Sequence, residues 1–308
     1  MARGTLGIGF HINEFYDDLV RHQLIVPVGV HGAFARTALF ENVLQRVDSL
    51  LEMLAKDDGA DAYTFPPIIN RKVLEKVHYF NSFPHLCGSV YSFLSGEAQA
   101  REMSNRIAAG TKWDDLLGMT DVALNPAACY PLYPTLTGTL PAGGRYVTML
   151  NWVFRHEPSP EPTRMQSFRV REFVALGIAD QVSDWRKMWL QRATALMDSL
   201  RLPAAVDAVS DPFFGSGHES LIATQKTRCL KLELSVPILS PEHPTALCSF
   251  NLHQAYFGMA FDIRSHDGKL ANSACVGFGL ERIVMALFRI HGFTIAAWPS
   301  TLRSRLWP

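Results

Sequence analysis

The stretch that decides the fold runs from residue 145 to residue 176: RYVTMLNWVFR (145–155), then HEPSPEPTRM (156–165), then QSFRVREFVAL (166–176). Its two flanks are rich in β-branched and aromatic residues, which is typical of β-strands. Pro158, Pro160 and Pro162 keep the segment between them out of regular structure. The stretch therefore predicts an antiparallel hairpin with a long, proline-rich tip.

The sequence on either side of this hairpin predicts further strands and several helices. Residues 229–236 alternate between polar and apolar side chains, as in a strand with one face buried, and residues 245–263 also have strand composition. Apolar residues recur at helical spacing over 37–55 and 182–200. A glycine-containing strand end over 274–288 opens a strongly apolar helix. We therefore predict an α+β fold, an antiparallel sheet with its helices on one face.

Composition excludes several classes of protein. The 308 residues carry 29 basic and 29 acidic side chains, a balance that argues against gripping nucleic acid as the main function. No stretch approaches the ~18 apolar residues of a membrane helix, and the first ten residues lack a signal-peptide core. The cysteines are odd in number and scattered, which predicts neither a disulfide scaffold nor a zinc ribbon; they are Cys87, Cys129, Cys229, Cys248 and Cys275. We expect a soluble, cytoplasmic protein.

The end of the first hairpin strand carries the first candidate site residues. Arg155 and Glu157 lie two residues apart, so they share one face. Arginine can fork onto a phosphate or a carboxylate, and glutamate can accept from an amine or hold a metal ion. A surface ion pair is the simpler alternative. Beyond the proline loop, Arg164 precedes Phe168, an aromatic residue able to stack on a flat ring.

The segment GFGLER (277–282) invites comparison with the glycine-rich loops that bind dinucleotides. Its third glycine is absent and no parallel βαβ pattern precedes it, so we reject that reading. Two interpretations remain: Arg282 in the first turn of a helix, aimed at a ligand that the glycines allow to approach, or a plain helix cap.

The order of these motifs is more specific than any one of them. FRHE (154–157), a variable loop, RMQSF (164–168) and, much later, GFGLER (277–282) resemble motifs 2 and 3 of class II aminoacyl-tRNA synthetases. Residues 63–69, with paired prolines after a long helix, resemble motif 1, the dimer-forming element. The resemblance spans residues 50–288 and implies a class II synthetase-like antiparallel sheet flanked by helices, in a homodimer.

The resemblance also implies an ATP site. Arg155 would bind the α-phosphate and Arg282 the γ-phosphate, while Phe168 would stack on adenine. Arg164 and Glu157 would hold the remaining phosphate and base edges, so that Arg155, Glu157 and Arg282 are the catalytic residues. The nucleotide site is completed by Met165, by Lys231 and by Glu233, the carboxylate that would help to carry Mg²⁺. Fixed arginines and Mg²⁺ suit adenylate formation, which puts charge on a pentacoordinate phosphorus.

Within class II, the chain is most similar to the atypical seryl-tRNA synthetases, whose catalytic zinc is held by two cysteines and a glutamate. This likeness implies Cys129, Glu172 and Cys275 as ligands of one Zn²⁺ per subunit, with an open fourth position for the amino group of the substrate. Spacing does not show this, and three unrelated buried residues are the alternative. The implied amino-acid site comprises Cys129, Glu172, Ala246, Leu247, Cys248 and Ser249.

A seryl-tRNA synthetase also carries a tRNA-binding domain, for which the matched sequence leaves no room: roughly sixty residues precede motif 1, and they are nearly neutral. We therefore expect no tRNA partner. The chain then resembles the amino acid:[carrier protein] ligases, which DPFFG (211–215) and SFNLH (249–253) also suggest. That implies one catalytic domain over 1–308, with a helical extension over its first ~60 residues.

Such a ligase activates glycine or alanine as an aminoacyl-adenylate and passes it to the phosphopantetheine thiol of a small carrier protein. The two amino acids differ by one methyl group, a difference worth ~1–3 kcal/mol in discrimination between substrates. The sequence does not show which of them is preferred. A synthetase paralogue that charges RNA and a catalytically inactive regulator are the alternatives. A regulator predicts broken motifs, whereas the motif residues are all present.

Overall fold

The computed structural model describes residues 12–215 and 218–308. The first ten residues, on which the absence of a signal peptide was predicted, lie outside the described part of the chain. The helices are α1 (Ile12–Arg21), α2 (Ala38–Ala55), α3 (Arg71–Lys76), α4 (Tyr79–Ser82), α5 (Glu97–Ala108), α6 (Ala179–Ser199), α7 (Glu219–Thr227), α8 (Tyr256–Phe261), α9 (Leu280–His291) and α10 (Ser300–Leu306).

The strands range in length from two to eleven residues. They are β1 (Ile25–Pro27), β2 (Phe34–Arg36), β3 (Asp61–Tyr63), β4 (Ile68–Asn70), β5 (Ser89–Phe93), β6 (Leu117–Leu124), β7 (Gly138–Thr139), β8 (Arg145–Phe154), β9 (Ser167–Gly177), β10 (Ala205–Ala208), β11 (Lys231–Val236), β12 (Thr245–Gln254), β13 (Ile263–Arg264) and β14 (Asn272–Gly279).

A seven-stranded sheet in the order β10-β11-β12-β14-β9-β8-β3 forms the centre of the fold. Every pair in it is antiparallel except β3 with β8, which is parallel. The predicted hairpin is confirmed, with β8 and β9 in register from Arg145 opposite Leu176 to Phe154 opposite Ser167. The long helix α2 is followed by the edge strand β3, which ends at Tyr63, where the segment 63–69 that resembles motif 1 begins.

Alternation along β9 assigns the two faces of the sheet. Phe173 stacks on Trp189 of α6 with ring centroids 4.1 Å apart, and Arg171 pairs with Asp48 of α2 at 2.7 Å. The residues at the alternate positions of β9, Phe168, Val170 and Glu172, line a cavity on the other side of the sheet. The long helices α2, α6 and α9 therefore share one face, as predicted, whereas the short helices α7 and α8 border the cavity on the opposite face.

Partly buried ion pairs tie α2 and α9 to the hairpin. Glu281 at the start of α9 is fully buried and accepts from the backbone N of Arg169 at 2.8 Å and from its Nε at 2.9 Å. The same guanidinium pairs with Glu41 of α2 at 2.6 Å. Arg169 follows Phe168 in the sequence, and Glu281 precedes Arg282. These ion pairs therefore fix the backbone beside two residues that are predicted to bind the nucleotide.

The structure differs from the sequence-based prediction over residues 245–263. Strand β12 ends at Gln254, whose φ of 55° takes the backbone into the left-handed region, and helix α8 follows instead of a continued strand. Gly258 in α8 packs so closely on the chain before β14 that a Cβ there would lie 2.3 Å from the carbonyl oxygen of Ala271. The segment before β3, predicted as a helical extension, also contains the β1–β2 hairpin.

Across the described residues, no helix combines the length and the apolarity that crossing a bilayer requires.

Candidate active site

A cavity of about 710 Å³ opens on the face of the sheet that the long helices leave free. All but three of the predicted site residues line it: Cys129, Arg155, Phe168, Glu172, Lys231, Glu233, Ala246, Leu247, Cys248, Ser249, Cys275 and Arg282. Aromatic and apolar side chains from α8, including Tyr256 and Met259, form part of its wall. Such a cavity suits a small ligand with a few fixed polar contacts.

The other three predicted residues lie outside the lining. Glu157 and Arg164 form an ion pair of 3.3 Å between Oε1 and Nη1, and the Arg164 side chain is 53% exposed. Met165 is buried, with its sulfur 3.9 Å from Nη2 of Arg36. The hairpin tip therefore places two charged groups in solvent contact and turns the methionine side chain away from the cavity.

Two arginines flank the ring of Phe168. The Cζ atoms of Arg155 and Arg282 each lie 5.8 Å from the ring centroid. Nε of Arg155 donates to the carbonyl of Pro126 at 3.3 Å, and Arg282 donates to the carbonyls of Thr163 and Ala246 at 2.9 and 3.1 Å. Backbone carbonyls thus fix both side chains in place.

Electrostatics at this pair favour an anionic ligand. Burial lowers the pKa of Arg282, and the neighbouring charge of Arg155 lowers it further. Two cations brought together in a partly enclosed cavity repel each other unless an anion lies between them. A phosphate suits this position, because a guanidinium group can donate two parallel hydrogen bonds to it.

Lys231 and two carboxylates form a second charged cluster in the cavity. Its Nζ lies 2.8 Å from Oδ1 of Asp211 and 3.0 Å from Oε1 of Glu233. Burial opposes the charge on Lys231, but the two carboxylates outweigh it and raise the pKa of the amine. Gln225 of α7 donates to Asp211 at 2.8 Å and so anchors the loop that carries it. Sequence reasoning gave Asp211 no individual role.

Three ligand-type side chains converge at the base of the cavity. Sγ of Cys129, a carboxylate oxygen of Glu172 and Sγ of Cys275 all lie within 4.8 Å of one another, and all three residues are buried. Strands β9 and β14 pair with Glu172 opposite Gly277 and Cys275 opposite Val174, which places Glu172 and Cys275 diagonally on one face of the sheet. Cys129 follows β6 in a loop held by Asn151, whose Nδ2 donates to the carbonyl of Ala128 at 2.9 Å.

The chemistry of this cluster fits a metal ion. Burial raises the pKa of Cys129 and of Glu172, and the contact with Cys129 together with burial raises the pKa of Cys275. Three acidic groups packed so closely resist ionising together unless a cation compensates them. Two thiolates and one carboxylate are ligands that Zn²⁺ accepts, and three protein ligands leave its fourth position open.

The cluster has further polar neighbours that sequence reasoning did not assign. Nδ2 of Asn251 lies 3.4 Å, and Nε2 of His253 3.6 Å, from Sγ of Cys275. Burial lowers the pKa of His253 to about 4. The available signal was the polar series Ser249, Asn251 and His253, at alternate positions of a strand.

Comparison with known proteins places the chain in a family, although no family model matches it. It is 40% identical to amino acid–[acyl-carrier-protein] ligase 1 of Bradyrhizobium diazoefficiens, covering 94% of this chain and 89% of that protein. Ligase 2 of the same organism is 39% identical, covering 94% of this chain and 87% of that protein. The chain belongs to the amino acid–[acyl-carrier-protein] ligase family. It is therefore an enzyme, a ligase, as the motifs predicted.

More distant relatives of the ligase are aminoacyl-tRNA synthetases. The type-2 serine–tRNA ligase of Methanococcus aeolicus is 25% identical over 83% of this chain, which spans 52% of that protein. Among solved structures, the M. kandleri SerRS in complex with A. aeolicus tRNASec superposes with a TM-score of 0.81 at 19% identity, covering 99% of this chain and 60% of that one. Prolyl-tRNA synthetase from Cryptosporidium parvum gives 0.67 at 14% identity, covering 90% and 52%. The class II fold is confirmed.

Proposed function

We propose that this ligase activates glycine or alanine with ATP as an aminoacyl-adenylate and transfers it to the phosphopantetheine thiol of a carrier protein. The observation that carries the proposal is the meeting of two clusters in one cavity: the arginines around Phe168, and Cys129, Glu172 and Cys275. The names of the two Bradyrhizobium relatives support a carrier protein, and not tRNA, as the acceptor.

The nucleotide half of the proposal rests on the paired arginines. Arg155 would bind the α-phosphate and Arg282 the γ-phosphate, with adenine stacked on Phe168. When the amino-acid carboxylate attacks the α-phosphorus, pyrophosphate leaves and negative charge builds on the phosphate oxygens. Guanidinium groups already held by backbone carbonyls stabilise that charge without reorganising.

The remaining nucleotide residues are proposed with different contributions. Glu233 would help to carry Mg²⁺. Lys231, which forms an ion pair with Glu233 in the structure, would lie beside the phosphates. Arg164 and Glu157, at the hairpin tip, would meet the outer phosphate and the base edge. Met165 would contribute only its backbone, because its side chain packs on Arg36.

The amino-acid half rests on the buried cluster. Cys129, Glu172 and Cys275 would hold one Zn²⁺ per subunit. When bound, this ion supplies a Lewis-acidic position for the free amino group of the substrate. The wall beside it, also proposed as part of the amino-acid site, is formed by Ala246, Leu247, Cys248 and Ser249.

Transfer to the carrier needs no nucleophile from the protein. The phosphopantetheine sulfur attacks the activated carbonyl, a thioester bond forms, AMP leaves, and the thiol proton is released. Because the adenylate is already a good acyl donor, the enzyme contributes mainly by holding the two reactants together.

Amino-acid-dependent exchange of labelled pyrophosphate into ATP tests the activation step. We expect exchange with glycine or alanine and none without an amino acid, because labelled pyrophosphate re-forms ATP only by attacking an aminoacyl-adenylate, whose formation requires the amino acid. Serine is the comparison substrate, since it is what a seryl-tRNA synthetase paralogue would activate. Absence of exchange with every small amino acid would favour the inactive regulator and overturn the proposal.

We also propose that the ligase is a homodimer of single catalytic domains. Motif 1 supports this: β3 lies at the edge of the main sheet, and Leu39 and Met53 of α2 are 42% and 50% exposed. An unpaired strand edge is a common site of self-association. Light scattering at micromolar concentration should give the mass of two chains, and the mass of one chain would contradict it.

The cytoplasm remains the proposed location. All five cysteines are free thiols in the structure, as a reducing compartment would keep them.

A further inference from the structure

The imidazole of His253 lies next to Cys275, one of the two cysteines of the proposed metal site. Its Nε2 is 3.6 Å from Sγ of Cys275, and its Nδ1 is 3.1 Å from Oγ of Ser273. The hydroxyl of Tyr133 approaches the same Nδ1 at 3.5 Å. Both imidazole nitrogens therefore have polar partners, and the partner of Nε2, Cys275, is a proposed metal ligand.

Packing leaves this ring little freedom. Phe257 meets it edge to face, with centroids 4.9 Å apart and planes at 83°. Tyr133 meets it at 88°, with centroids 6.2 Å apart. These contacts hold the plane of the ring, and the contacts of Nδ1 with Ser273 and Tyr133 hold its orientation, so Nε2 stays directed at the sulfur.

Only one tautomer satisfies every group around the ring once Cys275 binds a metal. A metal-bound cysteine is a thiolate, which accepts hydrogen bonds and donates none. The proton must then sit on Nε2 and point at the sulfur, which leaves Nδ1 as an acceptor. Ser273, fully buried, has a hydroxyl in position to donate to Nδ1.

We propose that His253 is a positioning residue for the metal site: its Nε2–H donates to the Cys275 thiolate, and Ser273 holds the required tautomer. The inference rests on the proposed metal site of Cys129, Glu172 and Cys275. Three anionic ligands around a divalent cation leave an excess negative charge in a buried place, and a neutral donor to one sulfur offsets part of it. The same bond fixes the direction of the sulfur toward the other ligands.

Zinc affinity, measured by competition with a chromophoric chelator, tests this without any activity assay. His253→Phe keeps a flat ring and removes the donor, and we expect it to weaken zinc binding about 10–100-fold. His253→Gln places an amide N–H near the Nε2 position and should stay within a few-fold of the wild type. His22→Phe is the matched control, since His22 is exposed and stacks on Phe293 away from the cavity.

Cobalt substituted for zinc gives a second readout. Loss of a hydrogen bond leaves more electron density on the sulfur, so the sulfur-to-cobalt absorption band of His253→Phe should move to longer wavelength. Melting of the metal-free proteins checks that the variants fold.

The failures of the two proposals are distinguishable. A wild-type protein that binds no zinc would overturn the metal site and this inference together. Normal zinc binding by the wild type, with unchanged affinity and spectrum in His253→Phe, would overturn only the role of His253. Equal weakening in His253→Phe and His253→Gln would overturn the hydrogen-bond explanation.

Discussion

Cys275→Ala is expected to leave the purified ligase without zinc and to abolish amino-acid-dependent pyrophosphate exchange. The variant removes one of three proposed protein ligands, and the two that remain cannot hold the ion against dilution. The loss should exceed the about 10–100-fold that removing an outer hydrogen-bond partner costs. Without the ion, the amino group of the substrate has no fixed position, and its carboxylate is no longer delivered to ATP.

Metal content after gel filtration and the exchange rate, measured on the same preparation, check this prediction. Cys229→Ala is the matched control, because Cys229 is an exposed thiol outside the cavity lining, and it should keep both metal and activity. Retention of zinc together with exchange at the normal rate in Cys275→Ala would refute the metal assignment. Loss of zinc with full exchange would show that the ion plays no part in activation.

Arg155→Lys is expected to lower the rate of exchange about 10²–10³-fold, the cost of removing one preorganised donor from a developing oxyanion. The wild-type guanidinium binds the Pro126 carbonyl through Nε, which leaves its other nitrogens for a phosphate. A lysine ammonium is a single point of charge and cannot make both contacts in that fork geometry. Because the charge it opposes is greatest in the transition state, kcat should fall more than the KM for ATP rises.

Arg264→Lys is the matched control, a half-exposed arginine on β13 that pairs with Asp262 at 3.1 Å. It should exchange pyrophosphate at the wild-type rate. An unchanged rate in Arg155→Lys would remove Arg155 from the phosphate site, whatever the control shows.

The hairpin and its neighbours could be predicted from sequence because their signals are local. The alternation along β9 places Phe168 and Glu172 on one face, and prolines mark the loop between the strands. The turn after β12 could not be foreseen, because it depends on Gln254 adopting a left-handed conformation that its neighbours do not require. Helix α8 follows from that turn and from the close approach that Gly258 permits.

The candidate site was predictable only through resemblance to a family. Cys129, Glu172 and Cys275 are far apart in sequence, and only the pairing of β9 with β14 and the loop after β6 unite them. The neighbours of these groups were harder still to predict from sequence, because the contacts of His253 and Asp211 are made across the sheet. Patterning showed which residues face the cavity, but not which atoms meet inside it.

The central claim is that this ligase loads an amino acid onto a carrier thiol. The direct measurement is the intact mass of the host's acyl-carrier proteins after incubation with the enzyme, ATP, Mg²⁺ and glycine or alanine, each carrier with and without phosphopantetheine. We predict that a holo carrier gains the mass of one aminoacyl group, only when ATP is present, and loses it with hydroxylamine, while the apo form is unchanged. Active pyrophosphate exchange with no change in mass of any holo carrier, or equal loading of apo and holo forms, would contradict it.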